Sequence, residues 1–175
     1  HVDKAAENII AEIDGRPALE ILKADIGEVL ARDLRRAAGY IHAALPVAGS
    51  DTGDYVVRNL IGFDEERGLI AIAAPVQPGD PIMFVSRDAN AARADLTAML
   101  EKLKSRAGGG ADHPIKGAHY ISCIARGPNM FGGKNAELGL VRDALGDIPL
   151  VGMYANGEIS NDRLYSYTGV LTLFV

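Results

Sequence analysis

The residues best placed to do chemistry together are Arg126 and Glu158. Each follows a short apolar run. Ser122-Cys123-Ile124-Ala125 leads into Arg126-Gly127, and Val151-Gly152-Met153-Tyr154-Ala155 leads into Asn156-Gly157-Glu158. Runs of this length read as buried strands. Asn-Gly supplies the positive φ of a tight reversal, so the second strand is expected to turn at Asn156-Gly157 and present Glu158 at its end. If the two strands are parallel neighbours, both charged groups share the C-terminal edge, where open α/β sheets place ligands. A guanidinium grips a carboxylate with two donors. Glu158 would accept from an ammonium, so the pair matches the two ends of an amino acid. Tyr154 and Asn156 add neutral hydrogen bonds, and Phe131 an apolar wall. In the competing reading Glu158 only accepts backbone N–H bonds and pins the turn.

Between these runs lies Arg126-Gly127-Pro128-Asn129-Met130-Phe131-Gly132-Gly133-Lys134-Asn135. A glycine-rich strand-to-helix connection can aim backbone N–H groups at an anion. The nucleotide-binding pattern G-x-x-x-x-G-K-[S/T] is not met. From Gly127 to Gly132 the spacing fits, but Gly133 stands where lysine is required and Asn135 is no Ser/Thr. Nucleotide hydrolysis is therefore rejected. A carboxylate or small phosphate remains a candidate at Gly127 and Gly132, against a plain connector that binds nothing.

Cys123 as a nucleophile would need a base and an oxyanion hole. His119 shares its strand face but sits ~13 Å away at the strand rise. His42 and His113 are placed by nothing in the sequence, so Cys123 reads as a buried structural thiol, with Arg126 as a neighbour that could lower its pKa. The four histidines are scattered, with no H-x-H or C-x-x-C, so no metal is expected and no cofactor is called for. Arg58 stands among apolar residues of another strand. An exposed strand face is the ordinary explanation, and a ligand contact the other.

Elements must position these groups. Asn8–Ile13 reads as a strand, and Pro17 starts a helix running into the mid-thirties with Leu19, Leu22, Ile26, Val29 and Leu30 at helical spacing. Arg32, Arg35 and Arg36 near its end read as a solvated face. Residues 39–53 read as a loop. Three strands follow, about Tyr55–Asp64, Gly68–Ala74 and Pro81–Arg87, joined by short turn-rich connections as an antiparallel meander. Asp88 caps a helix with a Leu/Met stripe that ends at Gly108-Gly109-Gly110. Ala118–Ile124 is a strand, Asn135–Leu145 a helix with Leu138, Val141 and Leu145 inward, and Leu150–Ala155 a strand. Tyr165–Val175 is a long last strand. The expected fold is α+β, a mixed sheet with an antiparallel meander and helical crossovers, with the segments around Ala118, Leu150 and Thr168 central.

At 175 residues with 48% hydrophobic and 23% charged content, the chain can bury a sizeable core as a soluble protein. A net charge of −5 without a basic stripe argues against nucleic acid. No apolar run is long enough for a membrane span. One cysteine excludes an internal disulfide and fits a reducing, cytoplasmic compartment.

The ordered set of Ser122-Cys123 with Arg126-Gly127, Phe131-Gly132-Gly133 and Pro149-Leu150-Val151-Gly152-Met153-Tyr154-Ala155-Asn156-Gly157-Glu158-Ile159 resembles the C-terminal half of the FIST (F-box and intracellular signal transduction) family. Asp14-Gly15-Arg16-Pro17-Ala18-Leu19 resembles the segment that opens that half. The resemblance implies a FIST C-like sensory domain over 14–175, with 1–13 a linker or strand from a preceding N-terminal half. It also implies a small-molecule ligand of the amino-acid class and a downstream signalling protein as partner. The expected function is non-catalytic sensing in an intracellular signal transduction protein. The alternatives are an enzyme acting on an amino-acid-like substrate through Cys123 or the Arg126 loop, and a protein-interaction module.

Overall fold

The computed structural model describes residues 1–50, 53–107 and 114–175. The expected triple-glycine stop and His113 lie outside the described residues. Two compact units, His1–Arg87 and Asp88–Val175, divide the chain, and the α+β expectation holds.

In the first unit, β1 (Val2–Ala6), β2 (Ile9–Ile13), β3 (Arg16–Pro17), β4 (Ile41–Pro46), β5 (Tyr55–Asp64), β6 (Leu69–Ile72) and β7 (Met83–Ser86) form one sheet. Its order is β1-β2-β6-β5-β4-β7, with β3 beside β2, and every pairing is antiparallel. The β5–β6 hairpin matches the expected meander. The third strand does not continue it, because β7 pairs with β4. Strand β4 lies in the stretch read as a loop. Its His42, Ala43 and Ala44 are all buried, and a run without alternation gave no period to read. The expected long helix is broken. α1 (Ala18–Ala31) is interrupted at Gly27, whose φ of 77° and ψ of 164° no helix tolerates, and α2 (Leu34–Ala37) starts afresh on an Asp33 cap. Isoleucines and leucines of β2, α1, β5 and β6 make the core, among them Ile10, Leu22, Ile70 and Ile72, all without exposure.

In the second unit, α3 (Ala89–Ala107) opens as expected, with Asp88 Oδ1 accepting from Ala91 N at 2.7 Å. The three-stranded sheet has β8 (Gly117–Cys123) between β9 (Leu150–Ala155) and β12 (Gly169–Phe174). β8 and β9 are parallel and in register from Ala118↔Leu150 to Cys123↔Ala155, and β12 is antiparallel to β8. Two helices join the parallel strands, the short α4 (Gly127–Phe131) and α5 (Ala136–Leu145). β10 (Glu158–Ser160) and β11 (Arg163–Tyr165) form a separate hairpin. The expected last strand thus begins at Gly169 rather than Tyr165.

Tyr120, Leu150, Leu171 and Leu173 pack with Leu96, Leu100, Phe131, Val141 and Leu145 into one core. Only β8 is central. Val151 and Met153 of β9 alternate to the other face and are 68% and 63% exposed. Continuous apolar character there marks an edge strand, not a central one. Gly152 lets that edge approach, since a Cβ on it would stand 1.9 Å from the Tyr120 carbonyl oxygen.

Candidate functional site

The parallel pairing of β8 and β9 brings the two sequence-predicted anchors to one edge. Arg126 follows the end of β8 and Glu158 follows the end of β9. The start of β12 reaches the same edge, where Cys123 N donates to the Thr168 carbonyl at 2.9 Å.

Arg126 is 9% exposed and occupies the position before α4. Its Nε donates to Glu137 Oε1 at 2.7 Å. The same carboxylate accepts from Tyr120 Oη at 2.7 Å and from Ser122 Oγ at 3.0 and 3.1 Å. Glu137 is 3% exposed and stands in the first turn of α5. Tyr120 and Ser122 reach it because residues two apart on a strand share a face. Burial pushes the Tyr120 phenol well above its ordinary pKa, with Glu137 adding to the rise and Arg126 opposing it. Tyr120 is therefore a neutral donor. The Arg126 guanidinium also stacks on the Phe131 ring, 5.1 Å from its centroid, and Arg93 lies over the same ring at 5.7 Å. Phe131 is fully buried, so it is the floor beneath Arg126 and not an open wall.

Glu158 is 1% exposed. Its Oε2 accepts from Thr168 Oγ1 at 2.9 Å, while Oε1 is buried without a hydrogen-bond partner among the described residues. Burial raises its pKa. Thr168 and the nearby positive charge of Arg126 pull it down, and Glu137 pushes it up again. Glu158 therefore ties β10 to the start of β12. The Asn156-Gly157 turn is also not the positive-φ reversal expected. Neither residue has a positive φ, which appears instead at Asn161 in the β10–β11 turn. Gly157 is needed for closeness, because a Cβ there would meet Leu164 Cδ1 at 2.9 Å and the Tyr165 oxygen at 3.2 Å.

The remaining expected contacts divide. Gly127 lies beside the Tyr154 ring, within 3.8 Å of where its Cβ would be. Tyr154 is half-exposed and Asn156 exposed at the same edge. Gly132 closes α4 in the left-handed conformation. Cys123 is 4% exposed and packs at the end of β8. Arg58 belongs to the first unit, where its Nη1 donates to the Val57 carbonyl at 2.9 Å. His42 is also in that unit. It is buried, and its pKa is pushed down by burial first and by Arg87 second. Among the described residues no group of three or more His, Cys, Asp or Glu could hold a metal ion.

Sequence reasoning missed Glu137 and Thr168 as members of the cluster. Glu137 carried a signal, since Glu137, Val141 and Leu145 recur every four residues on the buried face of α5. Leu138, expected inward, is 39% exposed.

Residues 18–161 match the FIST C domain family. The chain belongs to that family. FIST C domains form a sensory family associated with signal transduction. An uncharacterized Mycobacterium bovis protein is 35% identical over 176 residues, covering 95% of this chain and 44% of the relative. An uncharacterized Mycobacterium tuberculosis protein is 33% identical over 181 residues, covering 95% and 45%. The FIST C chain thus spans less than half the length of these curated relatives. No solved structure matches it. No described helix of this FIST C chain is long and apolar enough to cross a membrane.

Proposed function

We propose that this FIST C chain is a non-catalytic sensory domain whose edge site takes a small zwitterion of the amino-acid class. One observation carries the reading. The buried cluster holds two carboxyls, Glu137 and Glu158, and one guanidinium, Arg126. Glu137 takes Nε of that guanidinium. Among the described residues Glu158 has a hydroxyl donor on one oxygen and no donor on the other. A buried polar atom without a partner is costly and rare, so a missing donor is the economical explanation. An ammonium supplies both the charge and the hydrogen bond. In this reading Arg126 meets the ligand carboxylate, with Tyr154 and Asn156 at the same edge.

Cytoplasmic location, an N-terminal FIST half and a downstream signalling protein as partners complete the proposal, on the family's association with signal transduction. A thermal-shift screen with amino acids tests it, because a ligand that binds only the folded state raises the melting temperature in a saturable way. Absence of any saturable rise across the panel counts against the zwitterion. Turnover of a ligand that does bind counts against the non-catalytic reading.

A further inference from the structure

The first unit carries an open surface cleft of about 670 Å³. It is lined by Arg32, Asp33, Leu34, Arg35 and Ala38 on one side of the sequence and by Leu60 to Phe63 and Glu65 on the other. Two irregularities border it. Asp33 starts a new helix after α1, so Arg32 and Arg35 are not set in one continuous helical row. In β5, Leu60 pairs with Ile72 but Gly62 pairs with Ala71, so Ile61 is an extra, bulged residue. Bulges re-aim side chains and are enriched beside functional sites. Ile61 is accordingly 58% exposed and lines the cleft.

The charges there are not balanced against one another. Asp33 Oδ1 is used by Arg36 N at 3.0 Å, and Glu65 Oε2 is used by Lys23 Nζ at 3.0 Å. Arg32 and Arg35 make no side-chain hydrogen bond or ion pair with a described residue. Arg32 and Arg35 thus line a recess that also holds Asp33, whose hydrogen bond comes from a neutral backbone N–H, and Glu65, whose charge is paired with Lys23, beside Ile61 and Phe63. Guanidinium pairs select planar anions, and apolar walls select a hydrocarbon body.

We propose that this cleft is a second binding site, distinct from the Arg126–Glu158 edge, for a small amphiphilic carboxylate. Arg32 and Arg35 hold the carboxylate, and Ile61 and Phe63 cover the apolar chain. The probe is octanoate, titrated into the isotopically labelled protein by NMR, with octylammonium and octanol as matched controls. Octanoate is expected to shift the amides of Leu34, Ala38, Gly62 and Phe63 saturably, with octylammonium producing no such set. The Arg32→Ala/Arg35→Ala double variant should bind octanoate at least about tenfold more weakly. Ile61→Glu, which places a carboxylate in the cleft at an exposed position, should abolish the shifts. Unchanged affinity in both folded variants, the same shifts with octylammonium, or no saturable shifts in the wild type would each overturn the proposal.

Discussion

Arg126 and Glu137 form a buried ion pair, 2.7 Å from Nε to Oε1, that also collects the Tyr120 and Ser122 hydroxyls. It joins the end of β8 to the first turn of α5, the helix that leads into β9. Removing one partner of such a pair leaves an uncompensated buried charge, which costs about 3–5 kcal/mol. Glu137→Ala is expected to lower unfolding free energy by about that much in urea melts. Glu137→Gln keeps acceptor capacity for the hydroxyls but not the charge, so its loss should lie between wild type and alanine.

Glu158 gives a pH dependence whose sign is fixed. Its folded pKa is raised above the ordinary value of 4.5, chiefly by burial. The folded state therefore holds the proton more tightly than the unfolded chain. The stabilisation is complete below about 4.5 and is lost as pH rises through the folded value. The charged groups acting on it are Arg126, which opposes the shift, and Glu137, which adds to it. Glu158→Gln has no such titration. Subtracting its stability from that of wild type across pH should give a difference that moves in favour of the variant as pH rises. A difference that is flat, or that moves toward wild type, would show that folding does not raise the Glu158 pKa.

The sequence made these anchors legible because each sits where an apolar run stops, and the parallel register of β8 and β9 then put both at one edge. What it hid has physical causes. Glu137 is a carboxylate in the first turn of α5, where the helix dipole alone accounts for it, so its sequence position does not mark it as buried. Phe131 reads from the sequence as an apolar wall, but it is buried beneath Arg126 and Arg93. Asn156-Gly157 has the composition of a tight turn, yet close approach of Leu164 is what requires the glycine. In the first unit, β4 escaped notice because its buried residues do not alternate, and the α1 break escaped because a glycine within a helical period is often tolerated.

Close approach also predicts the weight of Gly152. A methyl group there would overlap the Tyr120 carbonyl, and backbone cannot swing aside as a side chain can. Gly152→Ala should destabilise the protein by about 3 kcal/mol or more, read by denaturant midpoint at unchanged slope. Unchanged stability would mean that β9 can shift without loss of the parallel ladder.

Cys123 is buried at the end of β8, and its amide donates to the Thr168 carbonyl. Thiol reagents should label the native protein slowly, and Cys123→Ser should leave ligand affinity within about twofold. Rapid labelling together with lost binding would promote the thiol to a functional group.

The most direct measurement is calorimetric. The amino acid that raises the melting temperature most is compared with its analogue lacking the amino group, in wild type and in Glu158→Gln. If the ligand ammonium meets Glu158 Oε1, removing it costs wild type about 2 kcal/mol or more, roughly thirtyfold in affinity, while the variant barely distinguishes the two compounds. Equal losses in both proteins would contradict the account and leave Glu158 as the tether between β10 and β12 alone.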